Sequence, residues 1–104
     1  MDRLELLNEI LTQNPEDAFA RYGLALEYSK NGQTDQALLE FDKLLTTHPD
    51  YTAGYFMAAQ TLSAAGRIDE AKKMLASGIA SAKKTGNSHA QAEMEAMLGE
   101  LSEG

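Results

Sequence analysis

Residues 21–49 read RYGLALEYSKNGQTDQALLEFDKLLTTHP, and residues 55–83 read YFMAAQTLSAAGRIDEAKKMLASGIASAK. Laid side by side at an offset of 34, Gly32 falls on Gly66, Asp35 on Asp69 and Ala37 on Ala71, and upstream Pro15 falls on Pro49. Within each copy the apolar and small residues recur at steps of three and four: Leu24, Ala25, Tyr28, then Ala37, Phe41, Leu44, Leu45 in one; Tyr55, Ala58, Ala59, Leu62, then Ala71, Leu75, Gly78, Ile79 in the other. That spacing puts the members of each set on one face of a helix. Asn31-Gly32 and Ala65-Gly66 break the pattern where a glycine ends a helix in the left-handed conformation. Each copy is therefore a pair of antiparallel helices, and a period of this length predicts that neighbouring pairs stack and bury each other's apolar faces.

The arrangement Leu24-Ala25-x-x-Tyr28, Ala37-x-x-x-Phe41, Pro49 resembles the tetratricopeptide repeat, W-x-x-L-G-x-x-Y, A-x-x-x-F, P in a 34-residue unit. The second copy is a looser match, with Tyr55 in the Trp place, Ala58-Ala59 for Leu-Gly, Leu62 for Tyr and Leu75 for Phe. Arg21 replaces the Trp of the first unit, and Lys83 stands where the second should have Pro, so the last helix of that unit is expected to run on. The resemblance implies repeat 1 over 18–51 and repeat 2 over 52–85.

The flanks read in the same register. Leu4, Leu7, Ile10 and Leu11, ending at Asn14-Pro15, resemble the second helix of a preceding unit, a half-repeat over 3–14. Met94-x-x-Met97-Leu98-x-x-Leu101 repeats the spacing of a first helix five residues late, with Ser88 and Gln91 as its capping box, and gives a capping helix over 88–102 in which Met94, Met97 and Leu98 are core. The expected fold is all-α, a right-handed α-α superhelical repeat stack of about six antiparallel helices in a single domain, near 3–13, 16–31, 34–47, 50–65, 68–85 and 88–102. At 104 residues such a chain hides only roughly 60–65% of its extended surface, so stability is expected to be thin.

Composition narrows the function classes. No cysteine is present, which removes disulfides, thiol nucleophiles and cysteine-ligated zinc. No apolar run approaches the ~20 residues of a membrane span, and the first residues carry no leader pattern, so a cytoplasmic protein without a membrane partner is expected. The net charge of −7 is uneven: residues 1–66 hold ten acids and four bases, 67–86 five bases and two acids, and 87–104 four acids and no base. An acidic field repels phosphate backbones, so no nucleic-acid partner is expected. Lys72, Lys73, Lys83 and Lys84 read as solvated side chains or as counter-charges to the acidic last helix. His48 and His89 form no ligand-spaced pair, each turn glycine stands alone, and the acids Glu16, Asp17, Asp35, Asp69 and Glu70 fall where helix starts favour negative charge. Nothing here asks for a catalytic residue, a cofactor or a metal.

A second apolar stripe carries the functional reading. Phe19, Tyr22 and Leu26 recur at steps of three and four on the side of their helix away from Leu24, Ala25 and Tyr28, and Phe56 and Gln60 are in the matching places of repeat 2. A helix apolar on two faces has to cover both. The repeat resemblance implies that this stripe lines the concave inner wall, where such domains receive an extended peptide or a helix. Members that grip a chaperone's terminal carboxylate use Lys, Arg and Asn on that wall, and the stripe here contains no base, so such a clamp is not expected. Two readings follow: an adaptor or co-chaperone-like module binding a protein or peptide through Phe19, Tyr22, Leu26, Phe56 and Gln60, or a self-associating scaffold, a homodimer in which the same stripe is buried.

Overall fold

The computed structural model describes residues 2–103, and these form six helices with no strand: α1 (Arg3–Gln13), α2 (Ala18–Lys30), α3 (Thr34–Thr47), α4 (Thr52–Ala64), α5 (Ile68–Thr85) and α6 (Ser88–Glu103). No helix among them is long and apolar enough to cross a membrane. The molecule measures 42 × 29 × 18 Å, a slab about two helices thick. α2 packs on α3 and α4 on α5 as the two antiparallel pairs, with α1 before them and α6 after. α2 also meets α4, and α4 meets α6, whereas the backbones of α1, α3 and α5 stay apart. The even-numbered helices are thus the crowded inner layer of a curved stack, and the odd-numbered ones splay on its outside. Arg67 spans one of those outer gaps: it holds Glu70 through Nε and Nη2 at 2.9 and 2.8 Å and reaches Asp35 on α3 at 3.4 Å.

Three apolar clusters follow one another along the stack. The first joins Leu7 and Leu11 of α1 to Ala20 and Leu24 of α2. The second joins Ala25, Ala37, Phe41, Leu44 and Ala58, with Tyr28 packed against both it and the first. The third joins Ala59, Leu75, Ala82 and Met94. In each inner helix, then, the seventh residue (Leu24, Ala58, Met94) is buried against the outer helix that precedes it, and in α2 and α4 the eighth (Ala25, Ala59) against the one that follows. Met94 is fully buried, and Met97, Leu98 and Leu101 pack partly against the same cluster.

This register corrects the sequence reading of α6. The helix begins 36 residues after α4, where α4 begins 34 after α2, so the lag is two residues and not the five suggested by Met97-Leu98-x-x-Leu101. The cap is corrected as well. Gly86 takes the left-handed conformation at φ +72° after the long α5, which places Asn87 and not Ser88 at the helix threshold. Asn87 Oδ1 accepts the Ala90 amide at 3.1 Å, and Ser88 is already inside the helix. α2 likewise starts at Ala18, not 16, because the Asp17 carboxylate accepts the Ala20 amide, and α4 starts at Thr52, not 50. On α1, Leu7 and Leu11 are buried, but Ile10 is 37% and Leu6 49% exposed. Their counterparts 34 residues on, Leu44 and Glu40, are covered, since α3 has an inner helix before it and α1, among the described residues, has none.

Candidate functional site

The exposed side of the inner layer is built from α2, α4 and α6. On α2, Phe19 is the second residue of the helix and is 73% exposed, the largest apolar surface left in water on this layer. Tyr22, one turn on, is half-buried, and its ring meets Tyr51 at a centroid distance of 5.2 Å and a tilt of 49°. Burial pushes both phenols above their ordinary pKa, Tyr51 further through the nearby Tyr22 and Asp17, so both stay protonated and neutral. Leu26 packs against the central cluster with part of its surface free. Further along, the Ser29 hydroxyl donates to Thr61 Oγ1 at 2.8 Å, because the Thr61 proton is given to the Met57 carbonyl. This polar contact fastens α2 to α4.

On α4, Phe56 packs partly against the third cluster and lines a cleft of about 250 Å³ between α4 and α6. Thr52 and Ala53 line its α4 side, and Asn87, His89, Ala90, Glu93 and Met94 its α6 side. Gln60 is exposed on the same helix. The five residues singled out in the sequence are therefore distributed: Tyr22 and Leu26 at the α2–α4 seam, Phe56 in the α4–α6 cleft, Phe19 and Gln60 in solvent. Sequence reasoning missed Tyr51, which stands before α4 and so belongs to no helical stripe, and the α6 side of the cleft, which becomes legible only when the register of α6 is set by the buried Met94.

The charges near this layer are also defined. α4 has no acidic or basic side chain. Arg21 turns outward, donating from Nη1 to Glu40 at 2.6 Å and from Nη2 to the Pro15 carbonyl at 3.0 Å, and Glu27 pairs with Arg3 at 2.9 Å. The lysines of α5 do not answer the acids of α6: Lys84 reaches Asp50 at 3.9 Å instead, because the last turn of α5 lies beside the turn before α4. Among the described residues Glu93, Glu95, Glu100 and Glu103 have no Lys or Arg partner, and Glu93 meets only the His89 imidazole, at 3.1 Å. No three His, Asp or Glu side chains among the described residues are grouped so as to hold a metal ion.

Comparison with known proteins agrees with this architecture. Tetratricopeptide repeat profiles match residues 28–98 and 6–39. A tetratricopeptide repeat-containing protein of Pseudomonas aeruginosa is 28% identical over 98 residues, 94% of this chain and 93% of that one. A tetratricopeptide repeat domain protein of Salinibacter ruber superposes with a TM-score of 0.79 at 32% identity, covering 85% of this chain and 89% of its own. PcrH, solved in complex with the chaperone-binding region of PopD, shares the fold at a TM-score of 0.87 and 21% identity, over 95% of this chain and 75% of that one. With the profile covering two thirds of its length and the helix register of its three clusters, this chain belongs to the tetratricopeptide repeat family.

Proposed function

We propose that this protein is a protein–protein interaction module, adaptor or co-chaperone-like, that receives a peptide or helix on its inner layer. The binding wall would run from Phe19 over Tyr22 and Leu26 to Phe56 and Gln60. The observation that carries this reading is Phe19: a phenyl ring 73% exposed beside two half-buried apolar neighbours is costly in water unless something covers it. The cleft beside Phe56 supports it, being smaller than the roughly 300–1,000 Å³ of small-molecule sites and of a size for one anchoring side chain. PcrH offers a precedent in its fold, since its structure contains a bound segment of another protein.

The test uses fluorescence anisotropy with a panel of labelled amphipathic helical peptides, applied to the wild-type chain and to Phe19→Ser. Because Phe19 touches little of the fold, the variant should keep its helical circular dichroism and lose about tenfold in affinity for whichever peptides bind. Reversing Lys83 and Lys84 to Glu serves as the control. Loss of binding in that control with Phe19→Ser unaffected would move the functional surface to the outside of α5.

A further inference from the structure

The inner layer couples an uncharged lane to an acidic one. Its uncharged lane is α4 with the exposed stripe of α2, on which Phe19, Leu26, Phe56 and Gln60 carry no charge. Its acidic lane is α6, where Glu93 lines the cleft and Glu100 stands seven residues further, two turns along the same face. Glu95 belongs to the other side of α6, in the groove with Ala76, Ile79 and Leu98. Four of the bases are engaged elsewhere, Arg3 with Glu27, Arg21 with Glu40, Arg67 with Glu70 and Lys84 with Asp50, and among the described residues Lys72, Lys73 and Lys83 of the neighbouring α5 make no ion pair with the acids of α6. Lys30 ends α2 at the edge of the layer opposite the cleft. A helix with four acids, no base and no Lys or Arg partner leaves charge on the wall that a ligand can answer.

We propose that the inner layer selects a basic amphipathic segment of another protein, an inference that rests on the inner-wall reading above. An aliphatic or aromatic side chain of the segment fills the cleft between Ala53, Phe56 and Ala90, its apolar face covers Phe19 and Leu26, and Lys or Arg side chains two turns apart meet Glu93 and Glu100. Seating a base beside Glu93 displaces or shares the His89 contact, which contributes charge only when the imidazole is protonated. The two lanes then recognise separate features of one ligand: the cleft reads an apolar anchor, and α6 reads the sign of the polar face.

The experiment compares two synthetic helical peptides with one apolar face in common, one carrying Lys and the other Glu on the polar face, by isothermal titration against the intact chain. The Lys peptide should bind about tenfold tighter or more at low salt, and the margin should shrink when salt is raised to about 0.5 M, where the screening length is about 4 Å. Glu93→Gln with Glu100→Gln, both at partly or fully exposed positions, should erase the margin without changing the melting midpoint. Ala53→Trp, filling the cleft from an exposed position, should weaken both peptides alike. Equal affinity of the two peptides, with both still sensitive to Ala53→Trp, overturns the charge selection and leaves the inner wall as the binding surface. Preference for the Glu peptide, drawn to the amino ends of α4 and α6, overturns it also. Binding of neither peptide, or binding indifferent to Ala53→Trp, overturns the inner-wall reading together with this one.

Discussion

The two repeats solve one packing problem with different chemistry. Thirty-four residues apart, Arg21 of repeat 1 and Tyr55 of repeat 2 occupy the same place on an inner helix, and both donate to the carbonyl of the proline before their own unit: Arg21 to Pro15 at 3.0 Å, Tyr55 to Pro49 at 2.7 Å. Their facing outer helices are adjusted to match. Repeat 1 presents Glu40 and the fully buried Leu44, so the guanidinium ends in an ion pair with little water access on either side. Repeat 2 presents Met74 and Gly78, and the missing side chain at Gly78 is where Tyr55 and Met94 approach: a Cβ built there would stand 2.6 Å from Tyr55 Cβ and 2.5 Å from Met94 Sδ. The proline-carbonyl contact and the helix spacing are what the two units hold in common. The identity of the donor is free as long as the opposite helix complements its volume and charge.

The most severe test of that equivalence is at the shared centre. Phe41 and Leu75, both fully buried, are counterparts, and Phe41→Ala should cost about 3–5 kcal/mol, Leu75→Ala about 2–5. In a domain whose total is of the order of 5–15 kcal/mol, a thermal melt will show either change clearly. An unchanged midpoint for Phe41→Ala would break the repeat register itself.

Gly78 gives a sharper and smaller effect. Alanine is the better helix former by roughly 1 kcal/mol, so Gly78→Ala would stabilise an open position. Here the neighbour at 2.6 Å is the root of a side chain and cannot swing away, and overpacking of this kind costs about 1–3 kcal/mol. Urea denaturation should therefore report a net loss, and Tyr55→Ala should not recover it because the Cβ remains. A gain would mean that repeat 2 does not use the glycine to admit Tyr55.

The ion pair of repeat 1 supplies a change of similar size. Glu40→Leu leaves Arg21 mostly covered and without its carboxylate, and should cost about 1–3 kcal/mol, less than breaking a fully buried pair. Arg21→Leu combined with Glu40→Leu should recover most of that loss in the same urea assay. A double variant no better than the single would show that the proline-carbonyl bond, and not the pair, is what Arg21 contributes.

Much of this was legible because the repeat is read twice. Gly32 with Gly66 and Ala37 with Ala71 fix the units and their helices without any tertiary knowledge. The misreadings arose where a residue's role depends on something outside its own helix. Ser88 and Gln91 have the spacing of a cap, but the left-handed Gly86 sets the threshold one residue earlier, at Asn87. The spacing of Met97, Leu98 and Leu101 suits an inner helix, yet the space beside Gly78 fixes the register through Met94. Of the two readings of the α5 lysines, solvated side chains or counter-charges to α6, the second is not met, since Lys84 faces the turn at Asp50. At the candidate site the stripe included Tyr22 but not its ring partner Tyr51, which stands before α4 and outside any helical period.

The separation of the outer helices bears on how the chain reaches this state. With every contact between helices made by elements adjacent or next-but-one in sequence, no contact waits for the distant ends of the chain to meet. Loops that close early are short, and all-helical topologies of this kind fold on the order of microseconds to milliseconds. The same linear wiring grades the native state. α1, which touches α2 alone, can detach while the Phe41 and Leu75 clusters persist, so its amides are the first to exchange with solvent and those of the middle helices the last.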